Sequence, residues 1–579
     1  MTAPEIADRS RRHIGRGERR RAMLAGPDVI GLSFALVFLA WSLSPSLLPR
    51  GWVVQGVLSG LAGATGYGVG LALAFPVRRW IVPKLSWRPL SSRRAEKILP
   101  LIVVAGAAAM VVGTAWAAAD WQRDLAVLVG MPSPATVPYG RTTLLGAAIF
   151  GTVLFLARGL ATMARGGGHW LRGRAHLPPI VAHAVVPLVM LLVVVFAVDE
   201  VDRSGSSGAA RRVFGAQDGT AADVVQPQLT ERSGSLVSRS GWDTLGMPGQ
   251  LFVSGGRTAM ELATVNGAPA REPIRVYAGL ASAADTAARV ELVLDELDRT
   301  AAWNRKILVV AGTTGAGKLD PIAVDSVELM YNGDTAIAAM QYSSLPSWLS
   351  LLVDRAAADA AGAALIDGIR QRWSQLPPDR RPRLVVYGEG LGAQSIEAAF
   401  DGPGELRRSV DGALFVGPNS DRLWRSVKDR RDPGTTEVLP TYSDGLVIRF
   451  AATRQDLVVP TENGLHTTSE PWTPPRVLYL QHSSDPTVWW DPALLFSRPD
   501  WLSEPPGTDR SPAMRWYPFV TFGQVTADLA RAQTSPPGHG HNYADLIPYA
   551  WAAVAAPQGW SEADTERIAR AIVMSPPDR

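Results

Sequence analysis

Arg383-Leu384-Val385-Val386-Tyr387 runs directly into Gly388-Glu389-Gly390-Leu391-Gly392. The first five residues read as a buried strand, and the glycines permit a tight turn from that strand into a helix. At such a turn, Gly-x-Ser-x-Gly forms the nucleophile elbow of a serine hydrolase. Gly388 and Gly392 hold the outer places of that pattern, and Gly390 stands where the serine would be. The segment points to a fold and a site, and it lacks the hydroxyl on which acyl transfer depends.

Outward from the turn, short apolar runs alternate with helical stretches. Strands are expected at 274–277, 306–311, 335–341, 383–387, 413–416, 446–450 and 476–481. Helices are expected at 284–300, 322–331, 348–375, 391–400, 520–532, 543–555 and 561–573. This alternation implies a mainly parallel sheet covered on both faces. Ligands of such sheets bind beyond the carboxyl ends of the strands, so the loops leaving each strand are the places to look.

Four of those loops carry candidate chemistry. Gly312-Thr313-Thr314-Gly315-Ala316-Gly317-Lys318 matches Gly-x4-Gly-Lys, the phosphate-cradling pattern. The magnesium-holding Ser or Thr is replaced by Leu319, and Asp320 puts negative charge where phosphate would sit. A glycine-rich turn is preferred there, with nucleotide binding at 312–318 as the lesser alternative. Past a late strand, Asp485 in Tyr479-Leu480-Gln481-His482-Ser483-Ser484-Asp485-Pro486 can orient an imidazole, with Asp456 as its rival. In Gly538-His539-Gly540-His541-Asn542-Tyr543, a histidine falls where a triad base would in the order Ser, Asp, His. His541 is the candidate and His539 its rival. Gln341-Tyr342-Ser343-Ser344-Leu345-Pro346-Ser347-Trp348 could offer backbone N–H groups to an oxyanion, as could Leu391 beside the elbow. Ser395, one turn into the helix after the elbow, is the alternative nucleophile. No carboxylate cluster stands at metal spacing beside the histidines, and no metal or cofactor is expected.

The chain has 579 residues, which calls for more than one domain, and 47% of them are hydrophobic. Apolar runs concentrate in the first two hundred. Five segments are long enough to span a bilayer: 29–48, 52–75, 98–119, 142–164 and 178–198. Basic residues crowd before the first (Arg9 to Arg21), between the second and third (Arg78 to Lys97) and between the fourth and fifth (Arg165 to Arg174). The loop around Arg50 and that from Asp120 to Arg141 lack such an excess. Basic loops stay in the cytoplasm. The expectation is a multi-pass protein of the cytoplasmic membrane, with its N-terminus inside and its C-terminal half outside. The expected plan is a basic N-terminus at 1–28, a membrane domain at 29–198, a linker at 199–247 and a sheet domain at 248–579. A net charge of +4 gathered near membrane segments gives no reason to expect nucleic-acid binding. The absence of cysteine excludes disulfides, thiolate metal sites and a cysteine nucleophile.

These segments together resemble the actinobacterial membrane-anchored alpha/beta-hydrolase family. The resemblance is carried by Ser42-Leu43-Ser44-Pro45-Ser46-Leu47-Leu48-Pro49-Arg50, Glu272-Pro273-Ile274-Arg275-Val276-Tyr277, Met340 to Ser343 with Leu345-Pro346-Ser347-Trp348, Tyr479 to Pro486 with Trp489-Trp490, Arg515-Trp516-Tyr517-Pro518, and Gly538 to Tyr543. It implies an N-terminal five-helix transmembrane bundle followed by an α/β-hydrolase-like domain with a mainly parallel sheet, and it places Asp485 and His541 as acid and base. The family elbow reads Gly-Glu-Ser-Leu-Gly, so Gly390 departs at the nucleophile. Two functional expectations follow. One is a degenerate hydrolase that binds an envelope lipid or ester. The other is an active esterase in which His541 and Asp485 act on water, with Glu389 assisting.

Overall fold

The computed structural model describes residues 28–81, 93–132, 139–175, 224–345, 350–351, 354–419, 422–457, 459–461, 464–466 and 472–574. Its N-terminal part holds α1 (Val29–Ser42), α2 (Trp52–Pro76), α3 (Arg93–Leu128) and α4 (Tyr139–Ala175). Among the described residues, three helical stretches are long and apolar enough to cross a membrane: Trp52–Pro76, Leu101–Leu128 and Tyr139–Gly159. The glycine-rich α2 lies between α1 and α4. A Cβ on Gly66 would sit 2.7 Å from Phe38 of α1, and one on Gly60 2.7 Å from Ile149 of α4. Small residues let the helices approach this closely.

The expected first span, 29–48, is not one helix. α1 has 14 residues and ends at Ser42, a length of about 21 Å against roughly 30 Å of hydrocarbon. Leu47 and Leu48 are buried instead in the core of the sheet domain, so their apolar character serves a different contact. The expected fifth span, 178–198, lies outside the described residues.

The C-terminal part is built on a parallel sheet. Its strands are β1 (Ile274–Ala278), β2 (Ile307–Gly312), β3 (Thr335–Met340), β4 (Arg383–Glu389), β5 (Gly412–Val416), β6 (Ile448–Ala451) and, after a separate antiparallel hairpin of β7 (Val459–Thr461) and β8 (Gly464–His466), β9 (Arg476–Leu480). The order is β1-β3-β2-β4-β5-β9-β6. All seven expected strands are present. They are almost wholly buried, and for that reason they read as continuous apolar runs. Helices α5 (Thr286–Arg299), α6 (Pro321–Met330), α7 (Arg355–Ser374) and α8 (Leu391–Glu397) are joined late in the chain by α9 (Val520–Leu529), α10 (Ile547–Ala555) and α11 (Glu562–Met574). α5 and α7 pack on one face of the sheet, with α8 against α7, while α6, α10 and α11 pack together on the other.

Of the segment 199–247, residues 224–247 are described, and they are packed rather than free. Arg232 is buried against Glu272 at 2.7 Å, and the Ser233 hydroxyl donates to Glu296 at 2.9 Å. On the β1 edge, Arg275 forms a bidentate pair with Glu328 at 2.7 and 2.8 Å, both side chains being buried.

Candidate active site

The register of the sheet aligns Gly312 with Gly388, and Glu389 with Val416 and Leu480, so β2, β4, β5 and β9 end together. The chain leaves β4 through Gly390, whose φ of 56° and ψ of −119° form a sharp bend. The Gly390 N–H donates to the Val416 carbonyl at 2.8 Å, and α8 begins at the next residue. The outer glycines are fixed by close approach. A Cβ on Gly388 would lie 2.5 Å from the Ala393 nitrogen, and one on Gly392 2.9 Å from the Gly312 carbonyl carbon. The backbone is therefore that of an elbow at all three glycines, and its side chain is missing.

His541 and Asp485 converge on this bend. His541 Nδ1 is 2.7 Å from Asp485 Oδ2, which also accepts from the Tyr543 hydroxyl at 2.8 Å. The Thr487 N–H donates to Asp485 Oδ1 at 2.8 Å and holds the second oxygen. His541 Nε2 faces the elbow: a Cβ on Gly390 would be 3.1 Å away. Glu389 Oε1 stands 3.4 Å from the same nitrogen. His541, Glu389 and Gly390 line a cavity of about 480 Å³ with mixed walls, in which Leu251, Leu319, Leu391 and Leu529 alternate with polar groups such as Lys318 and Asp320. Leu391 opens α8, where backbone N–H groups lack an intrahelical acceptor; in a serine elbow the residue after the nucleophile has this place.

The electrostatics follow from burial and from the carboxylates. Burial opposes a charged imidazole, but the Asp485 carboxylate and its hydrogen bond, with Glu389 and Asp320, outweigh it and push His541 up to about 9. Burial, followed by the Asp320 charge, raises Glu389 to about 7, with the His541 charge pulling the other way. Both shifts favour an imidazolium on the Asp485 carboxylate near neutral pH, with Glu389 only partly ionised. That state donates a proton or a hydrogen bond readily and is a poor base.

Reading by sequence missed Gly417, at the end of β5. Its φ is 52°, and a Cβ there would lie 2.5 Å from His541 Nδ1 and 2.8 Å from Asp485 Oδ2. The only signal was a glycine directly after an apolar strand. Gly417→Ala is expected to push the ring off the carboxylate. The His541 Cε1 proton, followed by NMR, should then titrate well below 9, toward the ordinary imidazole value of about 6.5. An unchanged titration would show that the pair does not rest on this glycine. Tyr543 carries no motif signal of its own, and it is the second donor to Asp485 Oδ2.

The rivals lie elsewhere. Ser395 is buried with its hydroxyl on the Gly392 carbonyl at 2.9 Å, on the side of α8 that faces Gly312 and Gly362. Asp456 is exposed and caps its own turn through the N–H groups of Ala452 and Thr453 at 2.9 and 2.8 Å. His539 is half-buried, with Nδ1 3.5 Å from Asp509. The 341–345 loop closes on itself: Gln341 donates to the carbonyls of Ala316 and Ser343, and Ser343 to Asp354. Residues 346–349 are outside the described set. The 312–318 loop does not form a phosphate cradle. Its Thr314 and Gly317 N–H groups are spent on Lys318 and Thr314 carbonyls at 2.9 and 2.8 Å, and Asp320 caps α6. Thr314, Ala316 and Lys318 serve as cavity wall.

A family model described as Alpha/beta-hydrolase family matches residues 274–568, and one described as Alpha/beta-hydrolase family N-terminus matches residues 43–256. Comparison with curated proteins and with solved structures returns no match.

Proposed function

From the premise that the chain belongs to the Alpha/beta-hydrolase family, we propose a membrane-anchored member that keeps the hydrolase cavity and its acid–base pair but has lost covalent catalysis. It binds a lipid or ester of the cell envelope instead of turning it over. One observation carries this reading: Gly390 holds the elbow conformation 3.1 Å, at its Cβ position, from His541 Nε2, with no hydroxyl to activate. In a Ser-His-Asp enzyme, loss of the nucleophile costs about 10⁶ in turnover. A serine-reactive fluorophosphonate probe should therefore leave the full-length protein unlabelled. Labelling that disappears in Ser395→Ala would move the nucleophile to Ser395 and overturn the reading.

A second reading rests on Glu389, 3.4 Å from His541 Nε2: the two, with Asp485, would activate water directly. Ester hydrolysis by the unaltered protein that survives Gly390→Ala and is abolished by His541→Ala would favour it. The raised His541 pKa counts against it near neutral pH.

The placement is also part of the proposal: five crossings, the first made by the short α1 and the fifth by 178–198, with the N-terminus in the cytoplasm and the sheet domain outside. Its support is that the two loops without a basic excess are those on the sheet domain. Pro49 accepts from Arg531 at 3.1 Å, and Gly130 lies against His539 and Pro536. The arginine-rich loops, which the positive-inside rule retains in the cytoplasm, would then lie on the opposite side. A reporter fused after Arg579 that works only in the cytoplasm would reverse this orientation.

A further inference from the structure

The end of α9 and the strap after it, residues 528–541, touch two things at once. Toward the sheet, Leu529, Ala530, Ala532 and Gln533 line the cavity, and the strap ends on His541. Its end is tied back to its start, since the His541 N–H donates to the Ala532 carbonyl at 3.0 Å. Away from the sheet, the strap meets the loop between α1 and α2. Asp528 accepts from the Ser46 hydroxyl and from the Leu47 and Leu48 N–H groups at 3.1 and 3.4 Å. The Arg50 guanidinium lies 4.0 Å from its other oxygen, and both side chains are fully buried. Gln524, one turn earlier, donates to the Ser44 carbonyl at 3.0 Å, and Arg531 to that of Pro49.

A buried carboxylate persists only where donors and opposite charge surround it. For Asp528, the donors just named come from the membrane half of the chain. Burial still raises its pKa to about 6 against the lowering by Arg50, Ser46 and the two N–H groups, so the carboxylate depends on those partners. With Leu47 and Leu48 seated in the sheet domain's core, the loop is packed as an interior element.

We propose that the loop at 44–50 braces one wall of the cavity from behind, and that through it Asp528 and Arg50 are positioning residues for the strap that carries His541. The membrane half then shapes the ligand site as well as anchoring it. This goes beyond the proposed function and holds whether the site binds or hydrolyses.

Hydrogen exchange of the full chain in lipid nanodiscs, read by mass spectrometry, tests it. Arg50→Gln is expected to speed exchange at least tenfold in peptides covering 530–542, while β4 peptides keep their protection. Arg50→Lys, which retains the charge, should restore most of it. Should Arg50→Gln loosen every peptide through general unfolding, Arg531→Ala removes a single contact to the loop and decides the matter by the same local acceleration. Unchanged exchange at 530–542 in Arg531→Ala and in a folded Arg50→Gln, with acceleration confined to 44–50, would show that the loop docks without bracing the strap, and would overturn the proposal.

Discussion

Gly390→Ser is expected to turn the protein into a fluorophosphonate-reactive esterase, with hydrolysis of short acyl esters rising about 10³-fold over the unaltered chain. The basis is that the rest of the machinery is in place. The serine Cβ would lie 3.1 Å from His541 Nε2, and His541 is already held by Asp485 at 2.7 Å. The full loss from removing a nucleophile is about 10⁶, and only part should return, because the imidazole must retreat by a few tenths of an ångström to admit the new atoms. An L-residue at φ 56°, ψ −119° is strained, so a stability loss of about 1–3 kcal/mol is expected alongside the gain. Gly390→Ala carries the same strain without the hydroxyl and should gain nothing. A folded Gly390→Ser that neither labels nor hydrolyses would mean that His541 and Asp485 are not in triad geometry.

The pH dependence of that gain has a definite sign. A histidine must be neutral to take the serine proton, and His541 is pushed up to about 9, burial being outweighed by Asp485, Glu389 and Asp320. Hydrolysis by Gly390→Ser should therefore climb through neutral pH and level off above about pH 9. Glu389→Gln removes one of the charges that raise the imidazole, and should move the midpoint down. Stability runs the other way. A histidine whose folded pKa exceeds its unfolded value contributes stability that is complete below about pH 6.5 and lost as pH rises through 9.

How much of this was legible depended on whether the signal was local. The strands could be read because burial on both faces leaves an apolar run with turn residues at each end, as in Ile307–Gly312. The elbow could be read because its glycines are forced by contacts within a few residues. Choosing Asp485 over Asp456, or His541 over His539, required loop geometry across some fifty residues of sequence, for which order in the chain was only a guide. Leu47 and Leu48 misled for a physical reason. Hydropathy records that a residue avoids water, and it does not distinguish lipid from a protein core. Gly417 was invisible because its constraint is imposed by His541, which is remote in sequence.

Gly312 shows the same effect and supports the second large prediction. Its place at the head of Gly-x4-Gly-Lys suggests phosphate, yet its lack of a side chain answers to the elbow. A Cβ on Gly312 would fall on the Gly392 carbonyl oxygen and within 2.8 Å of both Ser395 Oγ and Ile396 Cγ1. The facing glycine is constrained in return, so β2 and α8 meet backbone to backbone. Close-packed interiors accommodate an added methyl poorly, and here the obstacle is main chain that no rotamer can clear. Gly312→Ala should lower stability by about 3 kcal/mol in chemical denaturation and displace the elbow, so that Gly390→Ser no longer gains activity in its presence. Gly402, the N-cap of Pro403–Ser409 with open space around its Cβ position, is the control, and Gly402→Ala should cost no more than about 1 kcal/mol. Nucleotide plays no part in this account. A Gly312→Ala protein of undiminished stability would refute the interlocked turn and return the glycine-rich loop to consideration as a site of its own.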